Sequence, residues 1–316
     1  MIDLTNAEVI KGDASFRTFF RKKIKNKSSI IIFAKKEKRK NLLIYDAINR
    51  ILLKNNIVAP KLLSEKYSKG IIEIEDLGDK TVFQILKNKG INQQIIYKKI
   101  IKLLNKIQKI KDKKVKTFKK LNYQLKKYSR KTLYEEAILF CNWYVPRILD
   151  KKNLLNTNSN LRKQFKYLIK SLKFKNDTFV HRDFHVSNIM FNKKEFGLID
   201  SQDALIGNFA YDLASLVDDV RFRTTVSQKN KIIKFFLKSN PKINKEKFKN
   251  DFEILSVLRN LKIIGIFSRL SARDKKNNYL KLIPYAWELI NLRINQNRVF
   301  EKLKKILKSN FPKQIK

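Results

Sequence analysis

His181-Arg182-Asp183-Phe184-His185-Val186-Ser187-Asn188 is the stretch on which the reading of this 316-residue chain turns. Asn188 follows Asp183 by five positions, and Asp200 follows Asn188 by twelve, at the end of the apolar run Phe196-Gly197-Leu198-Ile199. His-Arg-Asp, four residues, Asn, and later an Asp behind a short strand is the spacing used for phosphoryl transfer. That chemistry asks little covalent work of a protein. It needs a carboxylate to orient the attacking hydroxyl and oxygen ligands to hold Mg²⁺ on ATP. In this spacing Asp183 is the base, and Asn188 and Asp200 are the metal ligands. A single loop Asp is usually a turn or helix cap; the joint pattern, not any one residue, carries the reading. The two histidines, His181 and His185, lie four apart, a zinc spacing on a helix. Thr178-Phe179-Val180 before them favours a strand, and the Glu of His-Glu-x-x-His is missing. His181 therefore reads as a residue that packs the loop.

Working outward, only 7 Gly and 5 Pro occur in the whole chain, which favours long helices over tight turns. Phe16–Ile24 and Ile30–Ala34 read as strands of a hairpin around Asn26-Lys27-Ser28-Ser29. Leu42, Leu43, Tyr45, Ile48, Ile51 and Leu52 fall at helical spacing, predicting a helix over 39–55. A second strand pair, Leu62–Tyr67 and Ile71–Glu75, turns around Lys69-Gly70. Residues 80–173 are helical in pattern, short apolar runs return over 179–200, and from Tyr211 onward the pattern is helical again. The fold class this predicts is α+β: a small sheet lobe over 1–76 and a larger, mainly helical lobe over 77–316. A cleft between two such lobes is a natural ligand site.

Composition bounds the partners. Lys+Arg number 72 against 28 Asp+Glu, a formal net charge of +44. Such an excess is the footprint of a nucleic-acid or anionic-membrane binder. Here the Lys residues are scattered over nearly every segment, Arg is the minor partner, and Ile and Asn are abundant, a pattern that favours compositional drift. No nucleic-acid partner is expected. The lone Cys141 excludes a disulfide framework. Met1–Glu8 lacks the basic and apolar regions of a signal peptide, and no window supplies the roughly 18 apolar residues of a membrane span. The expectation is a cytoplasmic protein.

His181–Met190, with Leu198-Ile199-Asp200-Ser201-Gln202-Asp203-Ala204, resembles the catalytic and metal loops of the aminoglycoside phosphotransferase/choline kinase superfamily. Ala210-Tyr211-Asp212-Leu213-Ala214-Ser215-Leu216 is similar to its next helix, where the Asp has a structural role. Gly12-Asp13-Ala14-Ser15-Phe16-Arg17-Thr18-Phe19-Phe20-Arg21 resembles the N-terminal loop of one branch, the bacterial N-acetylmuramate/N-acetylglucosamine anomeric kinases of cell-wall recycling. Phe140-Cys141-Asn142-Trp143-Tyr144 and Arg259–Leu270 resemble it too. The likeness spans residues 12 to about 290.

The resemblance implies a protein-kinase-like two-lobed fold and ATP-dependent, Mg²⁺-assisted phosphorylation of a small hydroxylated acceptor. The anomeric hydroxyl of an amino sugar is the first choice; an aminoglycoside or choline-like alcohol is the alternative. A non-catalytic basic nucleic-acid-associated protein on the same fold is the rival from another class. No Ala-Pro-Glu motif follows Asp200, which argues against a protein kinase. The resemblance places Gly12, Asp13, Ala14 and Ser15 over the phosphates, with Ser15 and backbone N–H groups in place of a glycine-rich cradle. It places Glu75, Asp76 and Leu77 at an adenine-binding hinge. Lys35 or Lys36 would be the phosphate-pairing lysine of the third strand. Trp143 and Tyr144 would either stack on a pyranose or belong to the core. Glu136, His185, Asp203, Asp219 and Arg223 are further polar candidates for the acceptor.

Overall fold

The structure is a computed structural model that describes residues 7–10, 17–25, 27–88, 90–192 and 195–315. The expected loop at Gly12–Ser15 and the first expected strand residue, Phe16, lie outside the described residues. The chain forms two compact units, Met1–Lys126 with His181–Leu205, and Lys127–Val180 with Ile206–Lys316. The architecture is the expected α+β one, a small antiparallel sheet and a mainly helical part.

In the first unit β1 (Ala7–Ile10), β2 (Thr18–Ile24), β3 (Lys27–Phe33), β4 (Leu62–Lys66) and β5 (Ile71–Glu75) form one sheet in the order β1-β2-β3-β5-β4. The β-branched run Ile30-Ile31-Ile32 suits the centre of a pleated sheet. Ile32 and Ile72, each fully buried, pair across β3 and β5. The β2–β3 reversal is tighter than the sequence suggested. Ile24 pairs with Lys27, and Lys25 takes up positive φ, so Lys27-Ser28-Ser29 extends the ladder instead of turning. Strand β1 was not anticipated.

Helix α1 (Lys40–Lys54) forms where the apolar spacing put it, and Leu42, Tyr45, Ile48, Ile51 and Leu52 are all buried. Leu42 and Tyr45 join Ile32, Ala34, Ile72 and Ile74 in one cluster on the sheet. Each fully buried aliphatic side chain there contributes roughly 2 kcal/mol of transfer free energy. Helices α2 (Val82–Lys87) and α3 (Gln93–Gln108) follow, then a short hairpin of β6 (Lys114–Lys116) and β7 (Asn122–Gln124) inside a stretch expected to be helical.

The same unit takes in the hairpin Ile189–Asn192/Glu195–Leu198. Leu198 N–H donates to Val58 O (2.8 Å) and Phe191 N–H to Lys80 O (2.8 Å), which fastens both strands. Gly197 is required for that seat, because a Cβ there would lie 2.8 Å from Val58 Cγ1.

In the second unit α4 (Arg130–Ala137) leads into a wide π-helical turn, Phe140–Tyr144, and the short α5 (Val145–Ile148). Then come α6 (Lys151–Lys170), α7 (Tyr211–Val217), α8 (Val226–Lys238), α9 (Lys245–Asp274), α10 (Ile283–Ile294) and α11 (Glu301–Asn310). Phe140, Tyr144, Trp287 and Phe311 stack into one aromatic cluster. Asp218 is a fully buried charge, held by Arg293 (2.8 and 3.0 Å), Lys229 (3.3 Å) and the Ser256 hydroxyl (2.6 Å). Burial alone would raise its pKa; Arg293 and Lys229 outweigh that and hold it below the usual carboxylate value. Among the described residues no helix is long and apolar enough to cross a membrane.

Candidate active site

Strand Asn176–Val180 runs into His181, and the loop that follows is shaped by its own short bonds. His185 N–H donates to Asp183 O (3.0 Å), and Asn188 N–H closes a 3₁₀ turn on His185 O (2.9 Å). The Asn188 side-chain amide donates to Asp183 O (3.1 Å) and meets His185 Nε2 at 3.3 Å. Its Nδ2 is thereby committed to the loop, which leaves Oδ1 as the atom the side chain can offer a cation. His181 and His185 are buried. Burial holds the His181 imidazole below its usual pKa, neutral, against the opposing pull of Asp183 and Asp200. His181 is therefore a packing group, in edge contact with Phe184.

The hairpin brings the distant half of the motif back. Leu198 pairs with Ile189, and Ile199 N–H donates to Asn188 O (3.1 Å). Asp200 thus leaves the hairpin beside Asn188, although twelve positions separate them in sequence. Asp200 sits in the left-handed region (φ 60°, ψ 38°), as does Arg182 (φ 72°). A non-glycine residue held there costs of order 1–2 kcal/mol. Strain at Arg182, next to Asp183, and at Asp200 is the kind that clusters at functional sites. Ser201, next to Asp200, is buried and donates to Asn49 Oδ1 of α1 (2.6 Å), so the helix fixes the turn.

The cation beside Asp200 is not a lysine. Arg17 Nη2 lies 2.8 Å from Asp200 Oδ1, and Arg17 Nη1 donates to Gln202 Oε1 (3.0 Å). Its guanidinium also sits over Phe19 and Tyr45, 5.3 and 5.5 Å from their ring centroids. Tyr45, buried beneath it, has its pKa pushed up to about 12 by desolvation. Lys35, by contrast, is exposed and lies two residues past the end of β3; Lys36 is exposed as well. The sequence offered no way to prefer Arg17, because it sits before β2 and not on the third strand.

The expected hinge follows directly from β5. Glu75 N–H donates to Lys61 O (2.8 Å), and Leu77 is buried. Asp76 is drawn into a local network, accepting from Gly78 N–H (2.9 Å) and pairing with Arg21 Nε at 2.7 Å. Asp203 is exposed and sits 3.4 Å from Arg182 Nη1.

The remaining acceptor candidates belong to the second unit. Glu136 on α4 pairs with Lys262 (3.0 Å) and accepts from the Tyr128 hydroxyl. Tyr144 is buried in the aromatic cluster, and its hydroxyl accepts from Trp287 Nε1 (3.1 Å); Trp143 is partly exposed. Asp219 is buried and accepts from Arg221 N–H (2.9 Å). Arg223 is exposed, in a two-bond pair with Glu288 (2.6 and 2.9 Å) over the Tyr285 ring. Asp212 is fully buried on α7.

A hard cation fits this donor set. Mg²⁺ keeps several waters and takes only one or two protein oxygens plus phosphate oxygens. Asn188 and Asp200 supply two oxygen-bearing side chains of that kind, and the Asp200 side chain is 40% exposed. Among the described residues no group of three or more His, Cys, Asp or Glu is placed to hold a metal ion.

Residues 6–263 match the phosphotransferase enzyme family. The chain belongs to that family. It is a phosphotransferase acting on a hydroxyl group. It is 28% identical to the N-acetylmuramate/N-acetylglucosamine kinase of Neisseria meningitidis serogroup B, over 89% of this chain and 83% of that protein. The enzyme of the same name from Pseudomonas aeruginosa is 26% identical, over 96% and 88% respectively. Among solved structures, a spectinomycin phosphotransferase in complex with ADP and spectinomycin shares the fold at TM-score 0.57 and 17% identity, covering 95% of this chain and 92% of that one.

Proposed function

We propose that this phosphotransferase moves the γ-phosphoryl group of ATP to the anomeric hydroxyl of N-acetylmuramate or N-acetylglucosamine, giving a sugar 1-phosphate in cytoplasmic cell-wall recycling. The observation that carries it is the convergence of Asp183, Asn188 and Asp200 on one loop and hairpin, held by Ile199 N–H to Asn188 O. The names of the relatives support the acceptor, and the ADP complex of the fold neighbour supports the nucleotide.

In this reading Asp183 accepts a hydrogen bond from the attacking hydroxyl, orients it in line, and takes its proton as the bond to phosphorus forms. Asn188 and Asp200 would hold Mg²⁺, which would neutralise charge on the phosphates. Arg17 adds a fixed guanidinium beside Asp200, in the electrostatic role expected of the third-strand lysine. Glu75–Leu77 offers backbone groups to the adenine.

The test is ATP turnover with each sugar, followed by the mass of the phosphorylated product. The wild type is expected to phosphorylate at least one of the two. Asp183→Asn is expected to lower kcat by about 10²–10⁴-fold, the usual yield of a positioned general base. Absence of product from both sugars would sink the acceptor; full activity of the variant would sink the mechanism.

A further inference from the structure

Arg17 is a charge held firmly against its partner. Its side chain is 3% exposed, with Nη2 2.8 Å from Asp200 Oδ1 and Nη1 donating to Gln202 Oε1 at 3.0 Å. The guanidinium lies over the rings of Phe19 on β2 and Tyr45 on α1. Packing against two rings would be served by Leu or Met without the desolvation of a charge, so an arginine there is placed for its charge. Asp200 is fixed as well. Its backbone is in the left-handed region, and Ser201 ties the turn to Asn49 Oδ1, while Asn49 Nδ2 donates to Pro60 O (3.1 Å). Tyr45 and Asn49 are one helical turn apart, so one face of α1 sets both the guanidinium and the turn that carries the carboxylate. Every residue of this arrangement belongs to the first compact unit.

The pair leaves the loop and turn with little charge to offer a cation. Arg17 takes Asp200 Oδ1, and no described residue donates a hydrogen bond to Oδ2. Two carboxylates, Asp183 and Asp200, against one guanidinium leave a single negative charge, and Asn188 adds an oxygen without charge. Affinity for a divalent cation follows the charge count of its ligands. The net charge of +44 on the whole chain opposes a free cation further. Nucleotide phosphates would supply the missing negative charge, and a fixed guanidinium attracts the same phosphates.

We infer that Arg17 makes the metal site conditional on nucleotide: by holding Asp200 it keeps the affinity of Asn188 and Asp200 for a divalent cation low until phosphates are present. The inference rests on the proposed reading of Asn188 and Asp200 as metal ligands. Arg17 is then a positioning residue that couples two ligands, and the coupling is reciprocal, so metal strengthens nucleotide binding by the same factor.

The experiment measures Mn²⁺ binding to the nucleotide-free full chain by electron paramagnetic resonance, and ADP binding by calorimetry in EDTA and in excess Mn²⁺. In the wild type Mn²⁺ is expected to tighten ADP by about 10–100-fold, the usual size of a coupling between sites. Arg17→Met is expected to bind Mn²⁺ alone about 10-fold more tightly than the wild type, because the opposing charge is gone. The same variant should bind ADP more weakly in EDTA. Arg17→Lys, which keeps the charge, should match the wild type in Mn²⁺ affinity. Adding Asp200→Asn to Arg17→Met should abolish the gain, which ties it to this carboxylate. A folding defect weakens binding and cannot imitate a gain. Should Arg17→Met fail to fold, Arg17→Gln removes the charge but keeps amide donors, and is read by the same criteria. No gain in the neutral variant, or a gain that survives Asp200→Asn, overturns the inference. Sugar turnover by the wild type in that case leaves the proposed activity standing, whereas a gain with no turnover of either sugar sinks the acceptor and leaves the inference.

Discussion

At the scale of single residues the site was half legible. The candidates Asp183, Asn188 and Asp200 could be picked out because phosphoryl-transfer chemistry ties residue type to spacing, and the spacing survives as a local string. Arg17 could not. Its place depends on a fold that carries a residue ahead of β2 to within 2.8 Å of Asp200, and no local pattern encodes that approach. The contrast between Arg17 and Lys35 is testable. Arg17→Met should lower kcat/KM for ATP by about 10–100-fold, the loss of one preorganised charged donor. Lys35→Met should cost less than about 3-fold, because an exposed lysine in a field of lysines is replaceable and screened. Measured ATP kinetics in which Lys35→Met is the more damaged variant would return the phosphate-pairing role to the third strand.

At the scale of elements, the helices with one-sided apolar patterns were found where spacing put them. Helix α1 buries Leu42, Tyr45, Ile48, Ile51 and Leu52 on a single face. What failed were elements too short to carry a period. The hairpin of β6 and β7 has three residues per strand, and the four residues of β1 show no alternation that separates them from a loop. The π-helical turn at Phe140–Tyr144 was equally invisible, although its partner was in plain view. Gly265 lies in the middle of α9, where a glycine ordinarily weakens a helix by about 1 kcal/mol relative to Ala. Here a Cβ would fall 2.3 Å from Leu139 C and 2.5 Å from Phe140 N, backbone atoms that cannot step aside. The usual sign therefore reverses: Gly265→Ala should destabilise by about 3 kcal/mol, the upper range for overpacking. Denaturant unfolding reads the result, and a stabilised variant would show that α9 and the turn at Phe140 are not in close contact.

At the scale of the whole molecule the net charge of +44 is the property that composition made plainest and the fold explains least. Drift and function make different demands on where positive charge sits. Where a single charge has a structural task, it is paired or enclosed: Arg17 with Asp200, Arg21 with Asp76, Arg293 and Lys229 with Asp218. Many of the lysines instead lie on exposed positions, such as Lys35, Lys36, Lys151 and Lys152. Charges so placed repel one another across the surface and favour the expanded chain. The consequence is an unusual salt response. At an ionic strength of about 0.01 M the screening length is roughly 30 Å, and at 0.15 M it shrinks to roughly 8 Å. Repulsion summed over the surface should weaken accordingly, so Tm is expected to rise by several degrees between these conditions. A gain of about 1–2 kcal/mol corresponds to that shift for a protein of this size. The rise should be alike in NaCl and KCl, since screening does not distinguish them. A Tm that is flat or falls with added salt would mean that surface pairs outweigh the excess, and the lysines would then need an account other than drift.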